Sequence, residues 1–459
     1  MEFKKSVTNK GTDCLIVDGY KFSKFRTLKD GNISWRCVNK KCGAFVKSDP
    51  TVVEIFTGIV QHKNHEQLSS RKIDHDHIKN ECKRKAKEDL SLKPSKIIRS
   101  QLIKEANAET SVEQTDLKKT QKAIYNARRS IIPALPKSAR RTIEQLRNLQ
   151  CKTNLNEDFC FIEPIAGIVI FTCESNLNFL RQNSTVVLAD GTFYTCPPFF
   201  YQLYVIHVYV PDQYIQVAFC LLPSKSAQCY LNMWSFLFSL CGENFSPTTL
   251  LLDFELAAHQ GFRAVFPVSV IMCCRFHLGQ SWFRKICSLH LKQEYQNDTE
   301  NGKWLKMFFG LPFLEPNQVI DAFCFLESTR PQDMRLQLFS DYVRDNYILL
   351  CQFPPEMWAA PPQEQHIRST NACESFHSHF RQEFYRAHPN IHIFIETLRL
   401  IQAETYIKLK GPFSREISHE ELEKIDYLLL AYSALRNNDI SMEKYLKKVG
   451  FKFAATELH

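Results

Sequence analysis

The sequence predicts an α/β domain with a helical insertion, preceded by a small β-rich module and a basic helical connector. Three observations carry that prediction. Two apolar runs end in aspartate, Ser184 to Asp190 (STVVLAD) and Thr248 to Asp253 (TTLLLD), as strands buried on both faces would if each delivered a carboxylate into a cleft. Charge is segregated: residues 1–150 carry 32 Lys+Arg against 17 Asp+Glu, and residues 151–459 carry 26 against 32. Four soft or borderline metal ligands, Cys37, Cys42, His62 and His65, stand close together near the start. At 459 residues the chain is too long for one ordinary core, so two or three domains are expected. With 44% hydrophobic and 23% charged residues it reads as folded rather than disordered.

The first module is expected over residues 15–68. Tyr20, Phe22, Phe25, Ile33, Trp35 and Phe45 alternate with polar residues, which suits short strands. So small a module buries too little apolar surface to be stable alone. Cys37 and Cys42 (WRCVNKKC), then His62 and His65 (QHKNH), are a donor set for tetrahedral zinc. A structural zinc would supply on the order of 10 kcal/mol, enough to decide whether the module folds. The alternative is an ordinary hairpin with incidental Cys and His. The stretch resembles the FLYWCH zinc finger, with Phe22, Trp35, Cys37, Cys42 and His65 in the hallmark places. That family usually sets its closing histidines two apart, and here they are three apart.

The connector, residues 71–150, has 20 Lys+Arg against 10 Asp+Glu. One helix is expected from Pro94, carrying Ile97, Ile98, Leu102 and Ile103. A second starts at Thr115 or Asp116 and carries Leu117, Thr120, Ile124, Ala127 and Ile131 at helical spacing. On that helix Lys118, Lys122 and Arg129 fall away from the apolar stripe, either as a DNA-facing stripe or as a solvated face.

The α/β domain is expected over 151–385. After the strand ending at Asp190 come strands over Phe199–Val210 and Tyr214–Leu222, a helix over Gln228–Cys241, the strand ending at Asp253, a helix over Ala257–Phe266 and a strand over Val268–Cys273. That order is the ribonuclease H order, in which the first and fourth strands are neighbours, so Asp190 and Asp253 would meet. Two carboxylates about 4 Å apart repel by roughly 4 kcal/mol at an effective dielectric near 20. Hard divalent cations such as Mg2+ or Mn2+ resolve that conflict, and a pair of them supports displacement at phosphorus. A third carboxylate is supplied by Glu374 (STNACESFHSHF) on a helix capped by Ser369, Thr370 or Asn371. Phe376, Phe380 and Phe384 form that helix's apolar stripe, and Glu374 lies off it with His377 and Arg381. A plain surface acid near a helix start is the alternative. Residues 280–365, rich in aromatics, are expected to be a packed helical insertion. Residues 386–459 are expected to be helical, serving either packing or homodimer formation.

ADGTF at Asp190, LLLDFELAA at Asp253, Phe266–Pro267, CRFH over Cys274–His277 and TNACESFH at Glu374 together resemble the transposase domain of Mutator-like elements (MULEs). The resemblance covers about 200 residues and implies an Asp-Asp-Glu triad at Asp190, Asp253 and Glu374, two catalytic Mg2+ or Mn2+ ions, and DNA ends and target as partners. It places Cys274 and His277 as an active-site-shaping or DNA-facing pair, the alternative being half a zinc site. His377 orients Glu374 or touches DNA, or is a satisfied surface histidine. A DNA transposase is the first expectation, and a domesticated, catalytically silent DNA-binding regulator is the second. A nuclear location is expected from the basic charge. The polar start MEFKKSVTNK reads as no signal peptide, and the longest apolar run, Phe199 to Val210, is too short to span a bilayer. The seventeen cysteines include Cys173, Cys220 and Cys241 inside apolar runs, which reads as reduced thiols and not a disulfide scaffold.

Overall fold

The computed structural model describes residues 3–7, 12–59, 61–105, 112–211, 213–242, 245–349, 351–363, 371–411 and 419–455. The chain divides into two compact units, Met1–Leu135 and Pro136–His459.

The first unit opens with six strands: β1 (Phe3–Val7), β2 (Asp13–Val17), β3 (Tyr20–Thr27), β4 (Ile33–Cys37), β5 (Phe45–Ser48) and β6 (Ile55–Ile59). Each pairs with the next in an antiparallel meander. Its core is small, built on Leu15, Val17, Phe22, Trp35 and Val46. Trp35 is sealed in by donating its indole N–H to Ser48 Oγ at 2.9 Å. Three helices follow: α1 (Ser70–Glu88), α2 (Pro94–Glu105) and α3 (Gln114–Arg129). They share a core of Ile78, Cys82, Ala86, Ile97, Ile98 and Ile124.

The sequence reading found α2 and α3 and passed over α1, whose apolar positions are few among charges of both signs. α3 is capped by Glu113 with Asp116 in a capping box, a turn earlier than the Thr115 or Asp116 start expected. Ile103 and Ile131, expected in the apolar stripes, are exposed.

The second unit begins with α4 (Ala139–Asn148), β7 (Phe161–Glu163), β8 (Ile168–Phe171) and α5 (Glu174–Gln182), then β9 (Val186–Thr192), β10 (Gln202–Val210), β11 (Gln213–Leu222), α6 (Ala227–Cys241), β12 (Thr249–Leu252), α7 (Leu256–Val265) and β13 (Val270–Cys273). The strands form one mixed sheet in the order β13-β12-β9-β10-β11-β8-β7. β12 runs parallel to β9 and β13 parallel to β12; the other pairs are antiparallel.

A helical stretch then runs through α8 (Arg275–Ser288), α9 (Lys292–Gln296), α10 (Glu300–Met307), α11 (Pro316–Ser328) and α12 (Met334–Val343), followed by α13 (Asn371–Glu383), α14 (Ile391–Lys410), α15 (His419–Arg436) and α16 (Met442–Phe453). Trp282, Phe283, Trp304, Phe308, Phe309 and Phe323 are all buried in α8–α12 and the turn after α10, the packed core expected of the insertion. The last helices close over it: Tyr445 donates to the Phe313 carbonyl at 2.8 Å and Tyr432 to Glu315 at 2.8 Å.

Strand alternation explains the two faces of the sheet. Tyr204, Ile206 and Val208 of β10 join the core shared with α6 and α7, while Leu203 and Val205 join the core shared with α13 and α14. Leu188 of β9 and Leu251 of β12 share a cluster with Cys373 of α13. Two residues on from each leucine is an aspartate. Period two sends Asp190 and Asp253 to the α13 side.

Candidate functional site

Two groups of side chains carry chemistry, one in each unit. In the first, Cys37 ends β4 and Cys42 follows it in the β4–β5 turn, while His62 and His65 come just after β6. Cys37 Sγ lies 3.4 Å from His65 Nε2, Cys42 Sγ lies 3.4 Å from His62 Nδ1, and the two histidine nitrogens are 3.2 Å apart. All four ligand atoms fall within 4.8 Å of one another. With Zn–S near 2.3 Å and Zn–N near 2.05 Å, a tetrahedron has S–N edges of about 3.5 Å and N–N edges of about 3.3 Å. The measured edges fit, so the group could hold a metal such as zinc.

His62 turns Nδ1 inward and His65 turns Nε2 inward, which lets a three-residue spacing close on one point. Tyr20 stacks flat on His62 with centroids 3.5 Å apart and Phe22 meets it edge-on, fixing the ring's orientation. Burial, and then the neighbouring His65, keep His62 below its ordinary pKa, favouring the neutral ring that ligates. Burial works to raise both thiols. Backbone hydrogen bonds at Ala44 and Lys63 bring Cys42 down to about 7, while Cys37 stays raised.

On α3, Lys118, Lys122 and Arg129 are exposed while Thr120, Ile124 and Ala127 are buried. Arg128, beside Arg129, turns inward and donates to the carbonyls of Ala86, Asp89 and Leu92, so it caps the end of α1. Adjacent arginines therefore divide between structure and surface.

In the second unit the strand register sets the geometry. Leu188 of β9 pairs with Leu251 of β12, and counting on by two sets residue 190 opposite 253. Asp190 and Asp253 line one cleft of about 350 Å3 with Lys225, Glu255, His277, Arg284 and His377. Asp190 is 6% exposed, and the Gly191 N–H donates to its Oδ1 at 2.9 Å. His377 of α13 brings Nε2 to 3.3 Å from Asp190 Oδ2.

The two acids are driven apart in acidity. Burial pushes Asp190 up, but the adjacent His377 and the charges of His377 and His277 hold it below the usual carboxylate range. Asp253 is raised to about 6, by burial first and then by Asp190's negative charge. A buried acid raised by a like-charged neighbour is one that a cation would relieve. Hard carboxylate oxygens fit Mg2+ or Mn2+.

Glu374 lies in α13 one turn before His377, and its side chain is outside the described residues, as are Ser369 and Thr370 entirely. α13 is seated on the sheet by Phe376, Phe380 and Phe384, with Phe376 meeting Phe219 of β11 at 5.9 Å. Cys373 packs 3.5 Å from His207 Nδ1 of β10. Arg381 lies 4.0 Å over the Tyr194 ring. Cys274 is buried at the start of α8 and its N–H donates to the Leu252 carbonyl at 2.7 Å. It therefore ties α8 to the strand that delivers Asp253, while His277, one turn on, lines the cleft.

Sequence reasoning missed the clamp behind Asp253. Glu255 accepts from Lys225 Nζ at 2.7 Å and from the Tyr230 hydroxyl at 2.9 Å, and Tyr230 accepts from Gln202 at 2.7 Å. The Glu255 N–H in turn donates to Asp253 Oδ1 at 3.1 Å, and the His259 ring bonds the Asp253 carbonyl at 2.7 Å. Gly261 makes this possible: a Cβ there would fall 2.4 Å from the Tyr230 Cβ, so only glycine lets α7 approach α6 this closely.

Residues 186–281 match the family model described as the MULE transposase domain. That span runs from β9 into α8 and holds Asp190, Asp253, Cys274 and His277, and it points to a transposase of the MULE family. No curated protein matches the chain.

Proposed function

We propose that the protein is a DNA transposase of the Asp-Asp-Glu type, that its second unit has the ribonuclease H fold, and that Asp190, Asp253 and Glu374 hold a pair of Mg2+ or Mn2+ ions. One observation carries the reading: neighbouring parallel strands bring the buried Asp190 and the half-buried Asp253 to matched positions in one cleft, and their charges conflict without a cation. Within the seven-stranded sheet, the consecutive antiparallel strands β9, β10 and β11 with β12 and β13 added parallel outside β9 support the fold, β8 and β7 extending the other edge. The family match over 186–281 supports the class of reaction.

When bound, the ions would activate a water or a 3′ hydroxyl and stabilise the leaving oxygen in an in-line displacement at phosphorus. The chain's own groups do the rest. The Lys225–Glu255–Tyr230–Gln202 clamp fixes the turn that aims Asp253. His377 sits against Asp190 and holds it ionised. Lys225 and Arg284 place positive charge in an otherwise acidic cleft, where a phosphate backbone must enter. In the first unit the Cys37, Cys42, His62 and His65 group is a FLYWCH-type zinc finger, and Lys118, Lys122 and Arg129 contact DNA phosphates. Together these elements would bind the element's ends and join them to a target in the nucleus.

The test is Mn2+-dependent cleavage of DNA carrying the element's terminal sequences. The wild-type chain should nick at the element end, and Asp190→Asn should fall to background. Cleavage that survives Asp190→Asn would overturn the assignment.

A further inference from the structure

We propose that Phe193 and Tyr201, at the rim of the acidic cleft, form a shelf on which a nucleobase turned out of the DNA stacks beside the phosphate being cut; this deepens the proposed function and rests on it. The segment between β9 and β10 reads FYTCPPFFY, and three of its rings stay in solvent: Phe193 is 45% exposed, Phe199 47% and Tyr201 55%. Leaving large rings out of a core forfeits the gain of burying them, so a run of them beside a polar cleft marks a contact surface.

The segment holding these rings is pinned. Thr195 and Cys196 are buried, and the Cys196 N–H donates to the Phe193 carbonyl at 3.2 Å. The Tyr201 N–H donates to the Leu222 carbonyl at 2.8 Å, and the His388 N–H donates to the Tyr194 carbonyl at 2.8 Å. His388 Nδ1 also meets the Cys196 carbonyl at 3.1 Å. Phe199 sits at φ 76, a conformation a bulky residue adopts only where its surroundings impose it. A rigid scaffold therefore presents the rings, and binding spends little ordering them.

The corner they make has the shape and charge of a nucleotide site. Phe193 and Tyr201 meet edge to face, centroids 5.7 Å apart and 87° between planes. Lys225 Nζ lies 4.9 Å from the Phe193 centroid and is itself held by Glu255. Phe193 and Lys225 line the same cleft as Asp190 and Asp253. Flat apolar faces receive a base of any sequence, the ammonium receives its phosphate, and the carboxylates stand next to both. Turning one base out also relaxes the duplex at the point of attack, so that the phosphate can descend to buried acids.

The experiment uses the full chain with Ca2+, which neutralises the carboxylates while cleavage is withheld, and forked DNA carrying 2-aminopurine at successive positions of the junction. The wild-type chain should quench the fluorophore at one or two adjacent positions. Phe193→Ala with Tyr201→Ala should abolish the quench and weaken binding roughly tenfold, with an unchanged circular dichroism spectrum and melting temperature; Tyr201→Phe should keep both. Unchanged quench and affinity in the double alanine variant overturn the shelf. The two readings separate in Mn2+: a chain that cuts DNA yet never quenches loses the shelf alone, and one that quenches yet never cuts keeps the shelf and loses the transposase chemistry.

Discussion

The two functional centres differ in what a metal would do for each. The Cys/His group of the first unit is a closed set of four ligands around one point, with aromatic rings packed on the histidines and a core of few large side chains behind it. The acidic cleft of the second unit has two carboxylates on a sheet whose core is extensive without them. In the first a metal would be structural, because the surrounding fold is too small to persist alone. In the second the core is extensive, and a cation would ease the repulsion between the two carboxylates without being needed to hold the fold together. What a metal would do at a site therefore depends on how much apolar surface lies behind it as well as on its ligands.

That contrast can be broken most readily at the Cys/His group. Chelation of the metal, or Cys37→Ser, should unfold residues 12–59 with an effect on the order of 10 kcal/mol, read by amide hydrogen exchange, while protection of the sheet β7–β13 stays unchanged. Loss of protection in both units would erase the distinction.

The cleft should respond in the opposite sense. Asp253 is raised from 3.8 to about 6 in the folded chain, so the folded state binds the proton more tightly, and stability falls as pH climbs from about 4 to about 6 and stays down above that. Asp253→Asn should therefore stabilise the metal-free protein by roughly 3 kcal/mol at pH 8 and by nothing at pH 4, measured by denaturant unfolding. Mn2+ should raise the melting temperature of the wild-type chain and leave that of the variant nearly unmoved. A destabilising Asp253→Asn at pH 8 would mean the carboxylate already has a permanent cationic partner.

A smaller effect is expected from Tyr230→Phe, which removes the hydroxyl bonded to Glu255 and Gln202. It should cost about 1 kcal/mol of stability and lower the cleavage rate while leaving DNA affinity unchanged; a fall in affinity alone would place Tyr230 in DNA binding instead of in the clamp.

The smallest is at α3. Lys122→Ala should reduce the slope of log affinity against log salt by about 1 and leave sequence preference unchanged. No change in slope would leave that face merely solvated.

Much of this was legible because it is periodic or local. The apolar runs leading to Asp190 and Asp253, the Cys37/Cys42 and His62/His65 pairs, and the Phe376, Phe380 and Phe384 stripe all repeat or cluster in sequence, although β9 runs on through Asp190 to Thr192 and β12 stops at Leu252. What escaped lacks a period. α1 carries charge on most of its surface, and of its buried residues Ile78, Asn80, Cys82 and Ala86 only three are apolar, so it reads as connector. β7, β8 and α5 are short and were passed over before the first aspartate. The clamp joins Gln202 of β10, Lys225 of the β11–α6 turn, Tyr230 of α6 and Glu255 at the start of α7, and no spacing rule links them. Glu255 alone carries a local signal, its place two residues after Asp253. The expected connector over 71–150 also runs past the point where the chain divides, since α4 lies in the second unit; Pro133 and Pro136 were the local signal of that break.

Metal-directed chain cleavage would read whether Asp190, Asp253 and Glu374 surround one ion site. Fe2+ placed in the cleft with ascorbate and peroxide generates radicals that cut the backbone nearest the ion. Cuts should cluster near residues 190, 253 and 374, be suppressed by excess Mg2+ and be absent from Asp190→Asn. Cuts that spare the segment around Glu374, or that persist in Asp190→Asn, would contradict that arrangement.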